Sequence, residues 1–206
     1  MAKKKRRKGQ GKGSSFEREL CKKLSLWWTD GDREDIFWRT AGSGARATVR
    51  SKQGKQTAGQ HGDIAATDPD GKDFLSVVTI EMKRGYNKDT FQDLFDSLET
   101  SAVQTYEKWI AQAYHSSLAA ESYSWMIITK RDRRIPIVIC SAHLIRELVE
   151  NGAESLSSCS MMRASSVPVR VEERACYEFD FCVLLLDDLL EHTGSWDYRA
   201  ILERCE

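Results

Sequence analysis

In the stretch His61–Gly85, two apolar segments carry three charged residues whose types suit catalysis on an anionic substrate: Asp63 at the start, and Glu81 and Lys83 at the end. Side chains alternate faces along a strand, so Val78, Ile80 and Met82 share one face while Val77, Thr79, Glu81 and Lys83 share the other. The intervening Asp68-Pro69-Asp70-Gly71 reads as a turn. The segment Phe74–Lys83, rich in β-branched residues, reads as a strand. Together they predict an antiparallel β-hairpin that folds Asp63 back onto Glu81. Clustered carboxylates are costly unless neutralised, and a divalent metal beside a lysine is the usual solution. Oxygen ligands without His or Cys favour Mg2+, with Mn2+ able to substitute, over zinc. Such a site suits phosphodiester hydrolysis. A metal held there would polarise the phosphate and supply or orient water, while Lys83 would position or help deprotonate that water or neutralise charge in the transition state. Glu81-x-Lys83 alone is a weak signal, since a charged strand face facing water has the same spacing.

The elements that would position these residues follow from periodicity. A helix from Ser14 to Trp28 carries Phe16, Leu20, Leu24 and Trp27 or Trp28 on one stripe. Ser14 and Glu17 have the spacing of a capping box, so Glu17 is either a helix cap or a third carboxylate aimed at the site. Asp35–Arg39 predicts a short strand. From Thr40 to Gly62 runs a glycine-rich loop with Arg46, Arg50, Lys52 and Lys55 and no acid, placed where a phosphate backbone would be held. Thr90 caps a helix bearing Phe91, Leu94, Phe95 and Leu98, and a second helix spans about 101–120. Strands at 124–129 and 135–140 flank the basic turn Lys130–Arg134. Ser141 caps a helix through about Glu150. Residues 151–166 read as a loop, 167–171 as a short strand and 179–186 as another. The prediction is an α/β fold, a central mixed sheet flanked by helices. It divides into a basic disordered arm at 1–13, a core at 14–140 and an α/β C-terminal extension at 141–206 packed on the core.

Composition bounds the function. The 31 basic and 31 acidic residues cancel, but seven of the bases fall in residues 1–13, leaving 24 against 31 acids in the remainder. An arm with Lys4 and Arg6 at its centre therefore precedes an acidic body, and such arms contact nucleic-acid phosphates, direct localisation or aid solubility. No long uncharged apolar run is present, so a soluble intracellular, cytoplasmic protein with no membrane partner is expected. Six cysteines form no C-x-x-C pair and read as free thiols in a reducing compartment. An iron–sulfur cluster joining Cys21 to the late cysteines is the alternative, and the spacing supports it poorly.

Phe16-Glu17-Arg18, Gly62-Asp63-Ile64 and Ile80-Glu81-Met82-Lys83, in this order, resemble the PD-(D/E)xK nuclease superfamily and most of all the archaeal-type Holliday-junction resolvases. The likeness extends to the basic Lys3–Gly13 segment, to Arg39–Gly44 as the R-x-x-x-S-G-like loop, and to a later helix carrying Gln, for which Gln104 is the candidate. It covers roughly residues 3–140. It departs at Gly62, where a proline is usual, in a longer basic loop, and in an expanded segment after Gly85. The resemblance implies a restriction-endonuclease-like core and a Mg2+-dependent endodeoxyribonuclease. Asp63, Glu81, the Met82 carbonyl and Glu17 would bind metal. Arg39, Ser43, Arg46 and the arm would hold DNA, and Gln104 would help position groups. It further implies a homodimer acting on branched or duplex DNA in recombination or repair. The alternatives are a superfamily nuclease that cuts duplex, flap or single-stranded DNA in repair, restriction or phage DNA processing, and a non-catalytic DNA-binding protein.

Overall fold

The computed structural model describes residues 8–40, 61–96, 102–171 and 176–205. Five strands form one sheet in the order β3-β4-β5-β7-β6: β3 (Val78–Gly85), β4 (Ser124–Arg131), β5 (Ile137–Ser141), β6 (Met161–Arg170) and β7 (Cys176–Leu185). Only β3 and β4 are parallel. The other neighbours are antiparallel, so the sheet is mixed as the alternation of helices and hairpins requires. A separate antiparallel ribbon pairs β1 (Phe37–Arg39) with β2 (Ile64–Ala66).

Helices cover both faces of the sheet. One core joins Val78, Ile80 and Met82 to α1 (Lys8–Trp28), α2 (Lys72–Val77), α5 (Ala142–Glu150) and α7 (Ser195–Cys205). The other joins Ile127, Ile139 and Val183 to α3 (Asp93–Asp96) and α4 (Thr105–Ala120). A strand buried on both sides shows little hydrophobic alternation, and β3 is buried from Val78 through Met82, with Glu81 among those residues. The remaining helix, α6 (Leu186–Glu191), follows β7 directly.

Several sequence expectations need correction. Residues 63–83 are not a hairpin: β2 pairs with β1, and α2 separates it from β3. Asp-Pro-Asp-Gly is a helix start rather than a strand turn. The Asp68 side chain accepts the Asp70 N–H and Pro69 occupies the first turn of a 3-10 segment that runs into α2. Tertiary packing fixes that choice, because Phe74 of α2 lies at the centre of an aromatic cluster. Its ring is 5.0 Å from Tyr198, 5.4 Å from Trp27 and 5.4 Å from Phe37. Helix α1 begins at Lys8, so Ser14 lies within it and forms no capping box with Glu17. Residues 8–13 of the basic arm are therefore helical, while Lys4 and Arg6 lie outside the described residues. Residues 161–166 belong to the long strand β6 rather than to a loop, with an irregularity between Ala164 and Val167. The boundary drawn at residue 140 falls within β5, and the segment beyond it supplies β6 and β7 of the same sheet.

Helix α4 is fixed at its N-terminus by two devices. Gln104 and Glu107 form a reciprocal capping box. Glu107, buried, also accepts the backbone N–H of Arg170 at 2.8 Å and its guanidinium at 2.7 and 2.8 Å, which ties the helix to β6. Burial alone would raise the Glu107 pKa, but the Arg170 hydrogen bonds and the Gln104 N–H outweigh it and hold the carboxyl below the usual range. A depressed carboxyl contributes stability above its unfolded value, and that contribution is lost as pH falls through the folded value. Glu107→Gln is expected to lower stability by about 2–3 kcal/mol at pH 7. The difference from wild type should narrow in denaturation experiments below about pH 4, whereas a gap independent of pH would contradict this account.

Candidate active site

Strand β3 lies at the edge of the sheet, and the ribbon comes against that edge through one backbone bond, Asp63 N–H to the Ile80 carbonyl at 2.8 Å. Gly62 permits the approach. Its φ is +71°, and a Cβ there would sit 2.6 Å from the Ile80 oxygen. Proline cannot adopt that φ, so the departure from the usual sequence pattern at Gly62 has a local steric reason. The Asp63 carbonyl accepts the Thr40 N–H at 3.0 Å, and the Thr40 hydroxyl donates to the Gly62 carbonyl at 3.0 Å. The aspartate is thereby held from both sides of the ribbon.

Its carboxylate then turns onto β3. Asp63 Oδ2 accepts the Met82 N–H at 2.7 Å and lies 3.9 Å from Lys83 Nζ. Lys83 donates to Glu81 Oε2 at 2.7 Å and to Gln112 Oε1 at 3.1 Å. Helix α4 supplies the rest. Gln112 Nε2 donates to Glu81 Oε2 at 2.6 Å and Ser116 Oγ to Glu81 Oε1 at 2.9 Å. The structure thus brings Asp63, Glu81 and Lys83 together, as alternation along β3 and a returning Asp63 predict, although a ribbon rather than a hairpin delivers the aspartate.

Electrostatics set this group apart. Burial and then the adjacent Glu81 charge push the Asp63 carboxyl up to about 7, while Lys83 and the Met82 N–H pull it down and Glu17 adds a smaller push. Two carboxylates share one ammonium, so the group is short of positive charge. The donor set suits a hard divalent cation. Glu81 accepts three hydrogen bonds, fewer than the roughly four lone-pair sites of a carboxylate. Among the described residues no group of three or more His, Cys, Asp or Glu is arranged to hold a metal.

Glu17 stands close enough for its charge to act on Asp63. It forms an ion pair with Arg39 at 3.2 Å, so α1 and β1 place an acid and a base beside the site. Gln104 is spent on the α4 cap and on the Ala102 carbonyl at 2.8 Å. The glutamine that reaches the site is Gln112, two turns further along α4. Sequence reasoning missed it together with Ser116, although their spacing of four residues on the polar flank of an apolar stripe is a legible signal. Ser43, Arg46, Arg50, Lys52 and Lys55 lie outside the described residues. Cys21, Cys140, Cys159, Cys176 and Cys182 are free. No described helix is long and apolar enough to cross a membrane.

Among curated proteins and solved structures, none matches the chain. A family model does, over residues 8–196, and its description is "Phage putative PDDEXK endonuclease". The match runs past residue 140 through β6, β7 and α6, so the family pattern includes the strands that complete the sheet. With Glu81-x-Lys83 on the edge strand of a mixed α/β sheet, Asp63 brought against it by the ribbon, and a family match over nearly its whole length, the chain belongs to this phage PDDEXK endonuclease family.

Proposed function

We propose that the protein is a Mg2+-dependent DNA endonuclease, with Mn2+ able to substitute, in which Asp63 and Glu81 hold the metal and Lys83 serves the hydrolytic step. The observation that carries this is the meeting of two carboxylates, one buried and one partly buried, with one lysine at the edge of the sheet. The Met82 carbonyl is a further ligand by the family resemblance. A divalent cation held there supplies Lewis-acid charge to the scissile phosphate and to the attacking water. The protein's own residues do the rest. Lys83, hydrogen-bonded to Glu81, presents an ammonium to the anionic transition state or to the water. Gln112 and Ser116 fix the Glu81 rotamer, as partners of a metal-binding carboxylate do. Arg39, oriented by Glu17, holds a neighbouring phosphate. The basic segments at 1–13 and 40–60 add sequence-independent contacts to the DNA backbone.

Selectivity for four-way junctions and a homodimer follow only from the resolvase resemblance. They are tested by cleavage of junction, flap, duplex and single-stranded DNA side by side and by sedimentation of the enzyme. A non-catalytic DNA-binding protein would bind these substrates and cut none of them.

Two outcomes are expected. Cleavage should vanish in chelator and return with Mg2+ or Mn2+. Asp63→Asn, Glu81→Gln and Lys83→Ala should each lower the rate by about 100-fold or more. Gln112→Ala and Ser116→Ala should lower it by about tenfold. Full metal-dependent activity in Asp63→Asn or Lys83→Ala would overturn the assignment.

The second concerns stability without metal. Between the unfolded aspartate value of about 3.9 and the folded value of about 7, the folded state keeps a proton that the unfolded state has released. Stability therefore falls as pH rises through this window, and above it the buried charge weighs fully on the native state. In chelator at pH 8, Asp63→Asn should melt several degrees above wild type. That gain should shrink toward pH 4, and Mg2+ should raise the melting temperature of wild type only. A variant no more stable than wild type at pH 8 would show that the carboxylate pair stores no such strain.

A further inference from the structure

We propose that the cavity beside the carboxylate pair receives a single unpaired nucleobase of the DNA strand being cut. This deepens the nuclease reading and rests on it. The cavity measures about 370 Å3 and is the continuation of the seam that builds the active site. On β3, Lys83, Glu81 and Thr79 share one face, and on α4, Gln112, Ser116 and Ala120 recur every four residues along one stripe. Lys83 meets Gln112 and Glu81 meets Ser116. The next pair, Thr79 and Ala120, lines the cavity. Two residues of strand separate it from Glu81, about 7 Å. From the ribbon, His61 lines it as well, two residues before Asp63. A nucleoside joined to a phosphate at Asp63 and Glu81 therefore has this cavity within reach.

Its size and lining select the occupant. Ligand sites run from roughly 300 to 1,000 Å3, and this one is at the low end, too small for a duplex and suited to one nucleoside. Ala65 and Leu75 offer apolar surface to the faces of a base. His61, Ser76 and Glu121 offer a donor and acceptor set to its edge, and Lys72 a cation to an adjoining phosphate. At the neighbouring ribbon, Trp38 is the cross-strand partner of Ala65 and is 52% exposed. Directly opposed side chains on a ribbon stand about 5 Å apart on one face, so an indole stands ready for base stacking. A base that is mismatched or already single-stranded is the least costly to deliver into such a pocket. The consequence is a preference for DNA with an unpaired nucleotide next to the scissile phosphate.

The test compares two substrates of one sequence, fully paired or with one unpaired nucleotide beside the cut, each cleaved by wild type and by Ala65→Leu/Ala120→Leu, which fills the cavity. Wild type should favour the unpaired substrate by tenfold or more, and the filled variant should lose that ratio. Because the ratio is internal to each enzyme, partial misfolding does not move it. Trp38→Ala should reduce the ratio and Trp38→Phe should keep it. Equal cleavage of both substrates by wild type, or an unchanged ratio in the filled variant, overturns the proposal. The location is tested without catalysis by placing 5-iodouracil at the unpaired position, irradiating in chelator and mapping the cross-link. A cross-link at Trp38 or within residues 61–79 supports the pocket, and one found only elsewhere overturns it. If wild type cuts no DNA with Mg2+ or Mn2+, the nuclease reading fails by itself, and the cross-link still decides whether the cavity holds a base.

Discussion

The repulsion between Asp63 and Glu81 is the constraint around which the site is built. A buried Glu81 and a partly buried Asp63 share one ammonium, and desolvation together with Glu81 drives Asp63 up to about 7. Four donors answer that charge: Lys83, the Met82 N–H, Gln112 and Ser116 each donate to one carboxylate or the other. Helix α4 carries an instructive contrast at its other end. Glu107 is as buried as a catalytic acid, yet Arg170 and two backbone N–H groups satisfy it and its pKa falls. One helix thus holds a compensated carboxylate that fastens the fold and, through Gln112 and Ser116, donates to Glu81 of the pair. Burial and like charge raise Asp63, whereas partners lower Glu107, and this difference separates the two carboxylates physically.

The edge of the sheet makes the pair possible. An edge strand exposes backbone donors and acceptors that most proteins cover. Here the ribbon covers part of β3, and the bond from Asp63 N–H to the Ile80 carbonyl sets the aspartate in register with Glu81. That contact tolerates no side chain at Gly62, where a Cβ would meet the Ile80 oxygen at 2.6 Å. Glycine therefore stands at the position before the aspartate for a reason of close approach.

How much of this was legible in the sequence depends on the range of the interaction. Period-two alternation put Glu81 and Lys83 on one face, and that local rule held because β3 is a regular strand. The hairpin failed because Asp68-Pro69-Asp70-Gly71 satisfies the rules for a turn and for a helix start equally well. The decision was made elsewhere: Arg199 pairs with Asp70 at 2.6 Å and Asp73 at 3.2 Å, and Tyr198 packs on Phe74. Contacts across more than a hundred residues leave no local trace. The sequence points to Gln104 and leaves Gln112 unmarked for a similar reason. Both lie on the same helical segment, and only the start of α4, set by the Gln104 and Glu107 cap, determines which glutamine turns toward β3.

The last third of the chain has no chemical motif, yet it determines where the chemistry sits. Strand β6 anchors α4 through Arg170, and α4 delivers Gln112 and Ser116 to Glu81. Helix α7 anchors α2 through Arg199 and Tyr198, and α2 leads directly into β3. A cut at residue 140 would break β5 and remove β7, its partner in the sheet, and would leave both anchors without their second half. The family match through residue 196 fits this physical dependence. A silent segment that packs on both cores does not behave as an appendage, because the carboxylate pair can be held against its own repulsion only by a scaffold closed on both faces of the sheet.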